Sequence, residues 1–234
     1  MKIDVKLYNA NTTDVAIVID LLRASTTITV ALNNFKEIIP VNDIEKAFKL
    51  KEKYNAVLAG EKKVLKLDKF DVSNSPYYIQ NFKGNTLILK TTNGTKVLEN
   101  MQNNNKNADI LIGSSINAKA IAEKSLEMAE DEIQLIMAGR HQNFTIEDGI
   151  GAGIIINEIV NLAKIKEIPL DITESGQVAQ MIAEDHKIAQ DLIYTSNSAD
   201  ILRSLGYPED IDVCAKINES NIVPIYKNNK ITQL

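Results

Sequence analysis

An α/β layer fold with a largely parallel sheet is predicted by three observations. Apolar, β-branched runs alternate with segments of helical spacing along most of the chain. The runs are nearly continuous in apolar character, as strands buried on both faces are. Polar clusters fall just after them, at the strand ends where open α/β sheets place their ligands.

VAIVID (15–20) reads as a strand, and ASTTITVALNN (24–34) as the helix behind it. EIIPV (37–41) is short and extended. Its Pro40 cannot donate to a ladder, which predicts an edge or irregular strand. DIEKAFKLKEKY (43–54) has helical spacing at Ile44, Ala47, Phe48 and Leu50. AVLAGE (56–61) and TLILKTT (86–92) are strands, and a helix over 95–101 follows the second. ADILIGSS (108–115) precedes the helical NAKAIAEKSLEMAE (117–130), and EIQLIMAG (132–139) is the last clear buried strand. A helix over 146–164 opens at Thr145 as N-cap, with Asp148 three residues on. ESGQVAQMIAEDHKIAQDLIY (174–194) reads as one amphipathic helix with Val178, Met181, Ile182, Ile188 and Leu192 on its apolar face. The tail VPIYKNNKITQL (223–234) predicts a hairpin turning at Asn228–Asn229. Neither repeat nor linker interrupts the chain, so residues 1–234 are expected to form a single domain.

Composition narrows function by exclusion. A net charge of −5 offers no basic field for nucleic acid or an anionic membrane. The longest apolar stretches are about seven residues, against the roughly 20 that span a bilayer. MKIDVKLY at the start lacks the apolar core of a signal peptide. The single Cys214 excludes an internal disulfide and fits a reducing cytoplasm. P-loop, zinc-ligand spacing and G-x-S-x-G elbow are all missing. The expectation is a cytoplasmic protein for a small anionic ligand, with homo-oligomerisation left open.

Nearly all the positive charge is lysine, yet two of the three arginines directly follow strand-like runs: Arg23 after VAIVIDLL and Arg140 after IQLIMAG. The planar fork of arginine grips phosphate, sulfonate or carboxylate with two bonds at once. Arg203 reads as a surface residue. In DLLRASTT (20–27), Asp20 ends a strand and Ser25, Thr26 and Thr27 fall at a helix N-terminus. Free amides and the helix dipole make that position an anion site, although an ordinary hydroxyl cap explains it equally well. TTNGT (91–95) carries the Asn93–Gly94 turn, and GSSIN (113–117) puts Ser114, Ser115 and Asn117 where caps are favoured. In GRHQNFTIEDGIGAG (139–153), Glu147 and Asp148 sit in the first turn of a helix. They either complement its dipole or ligate Mg²⁺, which prefers one or two carboxylates plus water and phosphate oxygens. The small residues at 149–153 read as close helix packing. The loop over 62–79 is long enough to be functional, with turns at Phe70–Asp71 and Asn74–Ser75–Pro76, and Glu61 before it could face the same edge as Asp20. His141 is either a proton-transfer group or a surface histidine. His186 reads as solvated and Cys214 as core.

In this order, DLLRASTT, GEKK (60–63), FDVSNSP (70–76), TTNGT, GSSIN, the GR…ED…GAG run and DVCAKINESNIVP (212–224) resemble the 2-phosphosulfolactate phosphatase family of coenzyme M biosynthesis. The resemblance spans most of the chain. Lys62–Lys63 stand where that family tends to have Arg and Gly, and Val72–Ser73 and His141–Gln142 where it tends to have Gly. The resemblance implies a three-layer α/β/α fold with a mixed sheet. It also implies a Mg²⁺-dependent phosphatase converting (2R)-2-phospho-3-sulfolactate to 3-sulfolactate and inorganic phosphate. On that reading Mg²⁺ bridges a phosphate oxygen and carboxylates drawn from Asp20, Glu147 and Asp148. Arg23 and the amides of 25–27 hold the phosphate, and Arg140 holds the phosphate or the sulfonate. Asn74, Ser75, Asn93 and Asn117 orient the rest. Attack by Asp20 and attack by a water delivered at the metal both stay open. Two alternatives stand beside this reading: a phosphatase for another small phosphorylated hydroxy acid, and a phosphate-ligand binding protein without catalysis. The paired acids argue against the second.

Overall fold

A computed structural model describes residues 1–9, 11–62, 64–91, 94–104 and 107–234. Strand β1 (Lys2–Leu7) opens the chain, and β2 (Val15–Ile19) is buried along its whole length. Val15, Ile17 and Ile19 of β2 face one core, while Ala16 and Val18 face another. Helices must therefore cover both sides of the sheet. Helix α1 (Ala24–Ala31) packs in the second core. Then come β3 (Phe35–Val41), α2 (Ile44–Tyr54), β4 (Val57–Lys62), β5 (Leu65–Lys66), β6 (Gly84–Lys90) and α3 (Gly94–Asn104). Asp43 caps α2, its Oδ1 accepting the Lys46 amide at 2.7 Å. The chain continues through β7 (Asp109–Ile112), α4 (Ala118–Met128), β8 (Glu132–Met137), α5 (Ile146–Ile165) and β9 (Asp171–Ile172). Four helices follow: α6 (Glu174–Ile182), α7 (His186–Tyr194), α8 (Asn197–Ser204) and α9 (Pro208–Cys214). The hairpin of β10 (Pro224–Lys227) and β11 (Lys230–Gln233) closes the chain.

Among the described residues the strands form one mixed sheet in the order β5-β4-β6-β3-β11-β10-β7-β2-β8-β1-β9. β4, β6 and β3 pair in parallel, as do β7, β2, β8 and β1. The C-terminal hairpin sits between these two groups, antiparallel to β7 on one side and to β3 on the other. Its turn falls at Asn228 and Asn229, with φ of 53° and 60°, as a two-residue hairpin turn demands. With α4 and α5 in one core and α1 and α3 in the other, the arrangement is the three-layer α/β/α fold expected.

Three expectations need correction. β3 is an interior strand, despite Pro40. β11 is registered against β3 only at Ile38, so Pro40 meets no ladder on that side that would need its missing N–H. The segment over 174–194 is two helices, because the Asp185 carboxylate caps a new start by accepting the amides of Lys187 and Ile188 at 2.8 and 3.0 Å. Its expected apolar face is split: Val178, Met181 and Ile188 are 61%, 72% and 57% exposed, while Ile182 and Leu192 are half-buried against the core. The buried side is made of Ala179, Ala183, Ala189 and Ile193. Small residues are required there, because a Cβ on Gly153 of α5 would lie 1.9 Å from the Ala179 carbonyl oxygen of α6. Finally, Thr145 has an N-cap backbone but no side-chain cap bond, and its Oγ1 is buried without a partner. Asp148 reaches other main chain instead of the box.

Candidate active site

Four carboxylates gather where β2 and β4 end and α5 begins. Asp20 follows β2 directly. Its Oδ1 accepts the Ala24 amide at 3.3 Å, and its carbonyl accepts Ser25 Oγ at 2.9 Å. The amide of Gly94, opening α3, also reaches its carboxylate. A Cβ at Gly94 would lie only 3.2 Å from Asp20 Oδ2. Glu61 near the end of β4, and Glu147 and Asp148 in the first turn of α5, are buried. Burial raises the Asp20 carboxyl to about 6. The Ala24 and Gly94 amides pull against this, and the charges of Glu61 and Glu147 add to it. Glu61 therefore does face the edge that carries Asp20.

Asp148 is pushed well above the usual carboxylate range, by burial first and then by the charges of Asp20 and Glu147. Its two oxygens accept the amides of Leu21 and Gly139, each at 2.9 Å. It thus fastens the ends of β2 and β8 to the start of α5. Gly139 has φ of 63°, and a Cβ there would meet the Asn143 carbonyl oxygen at 2.4 Å, so the turn requires glycine. Arg140 and Asn143 then pair through their main chains at 2.9 and 3.0 Å. His141 and Gln142 at the tip have φ of 52° and 64°. These are left-handed conformations that glycine adopts more cheaply, at the place where the resemblance noted a departure from glycine.

Arg23 is buried and held on three sides. Nη1 donates to Asp210 Oδ2 at 2.6 Å, Nη2 donates to the Val64 carbonyl at 2.8 Å, and the guanidinium lies 4.9 Å from the centre of the Tyr207 ring. The Val64 amide donates to Glu61 Oε2 at 2.8 Å, which links Arg23 to the acid cluster. Asp210 also accepts the Ser75 hydroxyl and, at 3.2 Å, the Tyr77 amide. Sequence reasoning missed Asp210 and Tyr207, because the pair partners are 187 residues apart. The local signal, Pro208 followed by two acids at a helix start, suggests only dipole complementation. Lys90 was missed too: it ends β6, is buried, and donates from Nζ to the Glu61 carbonyl at 3.0 Å.

Other expected residues serve the framework. Thr26 Oγ1 donates to the Leu21 carbonyl at 3.0 Å, while Thr27 Oγ1 is buried without a partner. The amides of Ser25 and Thr27 are taken by the carbonyls of Asp20 and Arg23. Asn117 accepts the Ser114 amide at 2.9 Å and donates to the carbonyls of Ile112 and Ile222 at 3.3 and 2.9 Å. Asn74 is buried with an unpartnered Oδ1. Asn93 lies outside the described residues. Arg140 is exposed on the rim and makes no side-chain bond among the described residues. His141 and His186 are exposed, and so is Arg203, which pairs with Asp200 at 2.7 Å. Cys214 is buried, and burial pushes its thiol well above the ordinary range.

Among the described residues, no three His, Cys, Asp or Glu side chains converge as a metal-binding group. Mg²⁺ needs fewer, one or two carboxylates with water and phosphate oxygens. Asp20 and Glu147 fit that requirement best. The Glu147 carboxylate has no hydrogen-bond partner among the described residues, whereas both oxygens of Asp148 are engaged. A cavity of about 650 Å³ lies elsewhere: Tyr77, Gln80, Glu209, Asp212 and Lys216 line it, and none of the four clustered acids does. Beneath Asp20 the space is about 10 Å³, marginal even for one water.

Acids thus cluster beside a buried guanidinium at the strand ends of an α/β sheet, the edge where such folds place their ligands. The family model for 2-phosphosulpholactate phosphatase matches residues 3–229. The 2-phosphosulfolactate phosphatase of Methanothermobacter thermautotrophicus is 36% identical over 231 residues, which cover 99% of this chain and 95% of that one. A probable 2-phosphosulfolactate phosphatase of Clostridium acetobutylicum is 37% identical over 221 residues, 92% of this chain and 91% of its own. One from Carboxydothermus hydrogenoformans is 36% identical over 230 residues, 96% and 92% of the two chains. The chain belongs to the 2-phosphosulpholactate phosphatase family, and its class is phosphoric monoester hydrolase. No helix among the described residues is long and apolar enough to cross a membrane.

Proposed function

We propose that this chain hydrolyses (2R)-2-phospho-3-sulfolactate to 3-sulfolactate and inorganic phosphate, with Mg²⁺, as a step of coenzyme M synthesis. The observation that carries the reading is the family match over residues 3–229, which takes in every residue of the acid cluster.

Phosphoryl transfer needs charge neutralisation and placement more than covalent ingenuity. Even without Asp148, the acids Asp20, Glu61 and Glu147 outnumber Lys90 and Arg140, and Arg23 is already balanced by Asp210. A substrate bearing phosphate, sulfonate and carboxylate would meet net negative charge. That imbalance supports a divalent cation held by Asp20 and Glu147. Once bound, Mg²⁺ would offset charge on the phosphate. Asp148 keeps the two strand ends fastened. Arg23 offers the phosphate those N–H groups that Asp210 and Val64 leave over. Arg140, on the rim, meets the sulfonate or the carboxylate. Asn74, whose Oδ1 is buried without a partner, is an acceptor in the 70–76 loop that suits a hydroxyl or N–H and not an anionic oxygen. Ser25, Thr26 and Asn117 hold main chain in place around these groups.

Asp20 either attacks phosphorus to give an aspartyl-phosphate or orients a water that attacks directly. Quenching turnover with hydroxylamine separates the two: an Asp20 hydroxamate in the peptide mass marks the covalent route. The reaction itself is tested by phosphate release from the sulfonated ester, with Mg²⁺ and then EDTA, alongside 2-phospholactate and phosphoglycolate. Mg²⁺-dependent release favouring the sulfonated ester is expected. Release only from the other esters would make the chain a phosphatase for a different hydroxy acid. Anion-dependent thermal stabilisation without release would make it a binding protein.

A further inference from the structure

We infer that Asp210, aided by Tyr207, is a positioning residue that aims the Arg23 guanidinium at the substrate phosphate; this rests on the phosphatase reading above. Arg23 and Asp210 are 4% and 1% exposed, and their bond joins the turn after β2 to the first turn of α9. Tyr207, immediately before α9, covers one face of the guanidinium. A guanidinium has five N–H donors. Two are taken, by Asp210 and Val64. The Nε–H and one N–H on each Nη have no protein acceptor among the described residues. Among the described residues Nε is not one of the fully buried unpartnered atoms, so its N–H stays within reach of a ligand. An oxyanion is the acceptor a guanidinium edge fits best.

The surroundings of Asp210 show how aim is maintained. One carboxylate gathers α9, the Ser75 hydroxyl, the Tyr77 amide and the Arg23 turn. From Arg23 the bonds continue through Val64 to Glu61, inside the cluster that raises Asp20. Asp210 also balances the charge of Arg23. What Arg23 then contributes is direction, and direction depends on the partner that holds it.

The test uses the full chain with Arg23→Lys, Asp210→Asn and both together, measuring kcat, KM and unfolding temperature. Misaiming should lower kcat/KM of Asp210→Asn about 10–100-fold. The double variant should be no worse than Arg23→Lys alone, because Asp210 has nothing left to aim. Losses that multiply in the double variant overturn the inference. Loss of one partner of a buried pair can prevent folding. In that event Tyr207→Leu serves, since it removes the ring without stranding a charge. Its loss should vanish in the Arg23→Lys background, and equal losses in both backgrounds overturn the inference. Inorganic phosphate is a second probe that needs no turnover. It should raise the unfolding temperature of the wild type, and clearly less that of Asp210→Asn or Tyr207→Leu. Equal stabilisation of wild type and variants sinks the positioning role, whereas a folded wild type that leaves the sulfonated ester intact sinks the phosphatase reading.

Discussion

Asp148 accepts the Leu21 amide at 2.9 Å through Oδ1, and its other oxygen accepts the Gly139 amide at the same distance. The first turn of α5 is thereby fastened to the ends of β2 and β8. Asp148→Ala leaves two buried amides without an acceptor. It should lower stability by about 2 kcal/mol or more and reduce activity, as read by urea unfolding and turnover. An unchanged urea midpoint would show that the amides find other partners.

Asp20 titrates at about 6 in the folded chain against an ordinary 3.8. A raised carboxyl pKa means that the folded state binds the proton more tightly than the unfolded state. The contribution of this group to stability is therefore best below the ordinary value and falls as pH rises through the folded one. Without divalent cation, Asp20→Asn should unfold at a higher temperature than the wild type at alkaline pH. The advantage should fade at acid pH. Added Mg²⁺ should narrow the gap at alkaline pH, if Asp20 holds the ion. An advantage independent of pH would refute burial of the charge as its cause.

Gly153 packs α5 against α6 so closely that an added Cβ would sit 1.9 Å from main-chain oxygen. Gly153→Ala must push the helices apart, and an overpacked contact of this kind costs about 1–3 kcal/mol. Thermal unfolding checks it. A stabilised variant, as helix propensity alone would give, would mean that α6 shifts freely.

Strands were legible wherever apolar character ran on, as in VAIVI of β2 and EIQLIM of β8. β1, KIDVKL, was not recognised, because charges interrupt its apolar residues. The hairpin at 223–234 could be read from its Asn-Asn turn, but not its place inside the sheet, which depends on pairing with β7 and β3 far away. Asp20, Arg23, Glu147 and Asp148 were singled out from strand-end position and residue type, and the fold brings them to one edge. Their division of labour was not legible. Whether Ser25 or Asn117 caps or binds depends on partners, and cap and ligand chemistry use the same side chains. Asp210 had no local signature, since its meaning lies in Arg23.

We place phosphoryl transfer at the acid cluster around Asp20. Phosphate release from (2R)-2-phospho-3-sulfolactate by wild type and Asp20→Asn, with Mg²⁺ at neutral pH, tests it most directly. The expected result is turnover by the wild type and a fall of about a thousandfold or more in a variant that stays folded. Equal turnover by the two proteins would contradict the account.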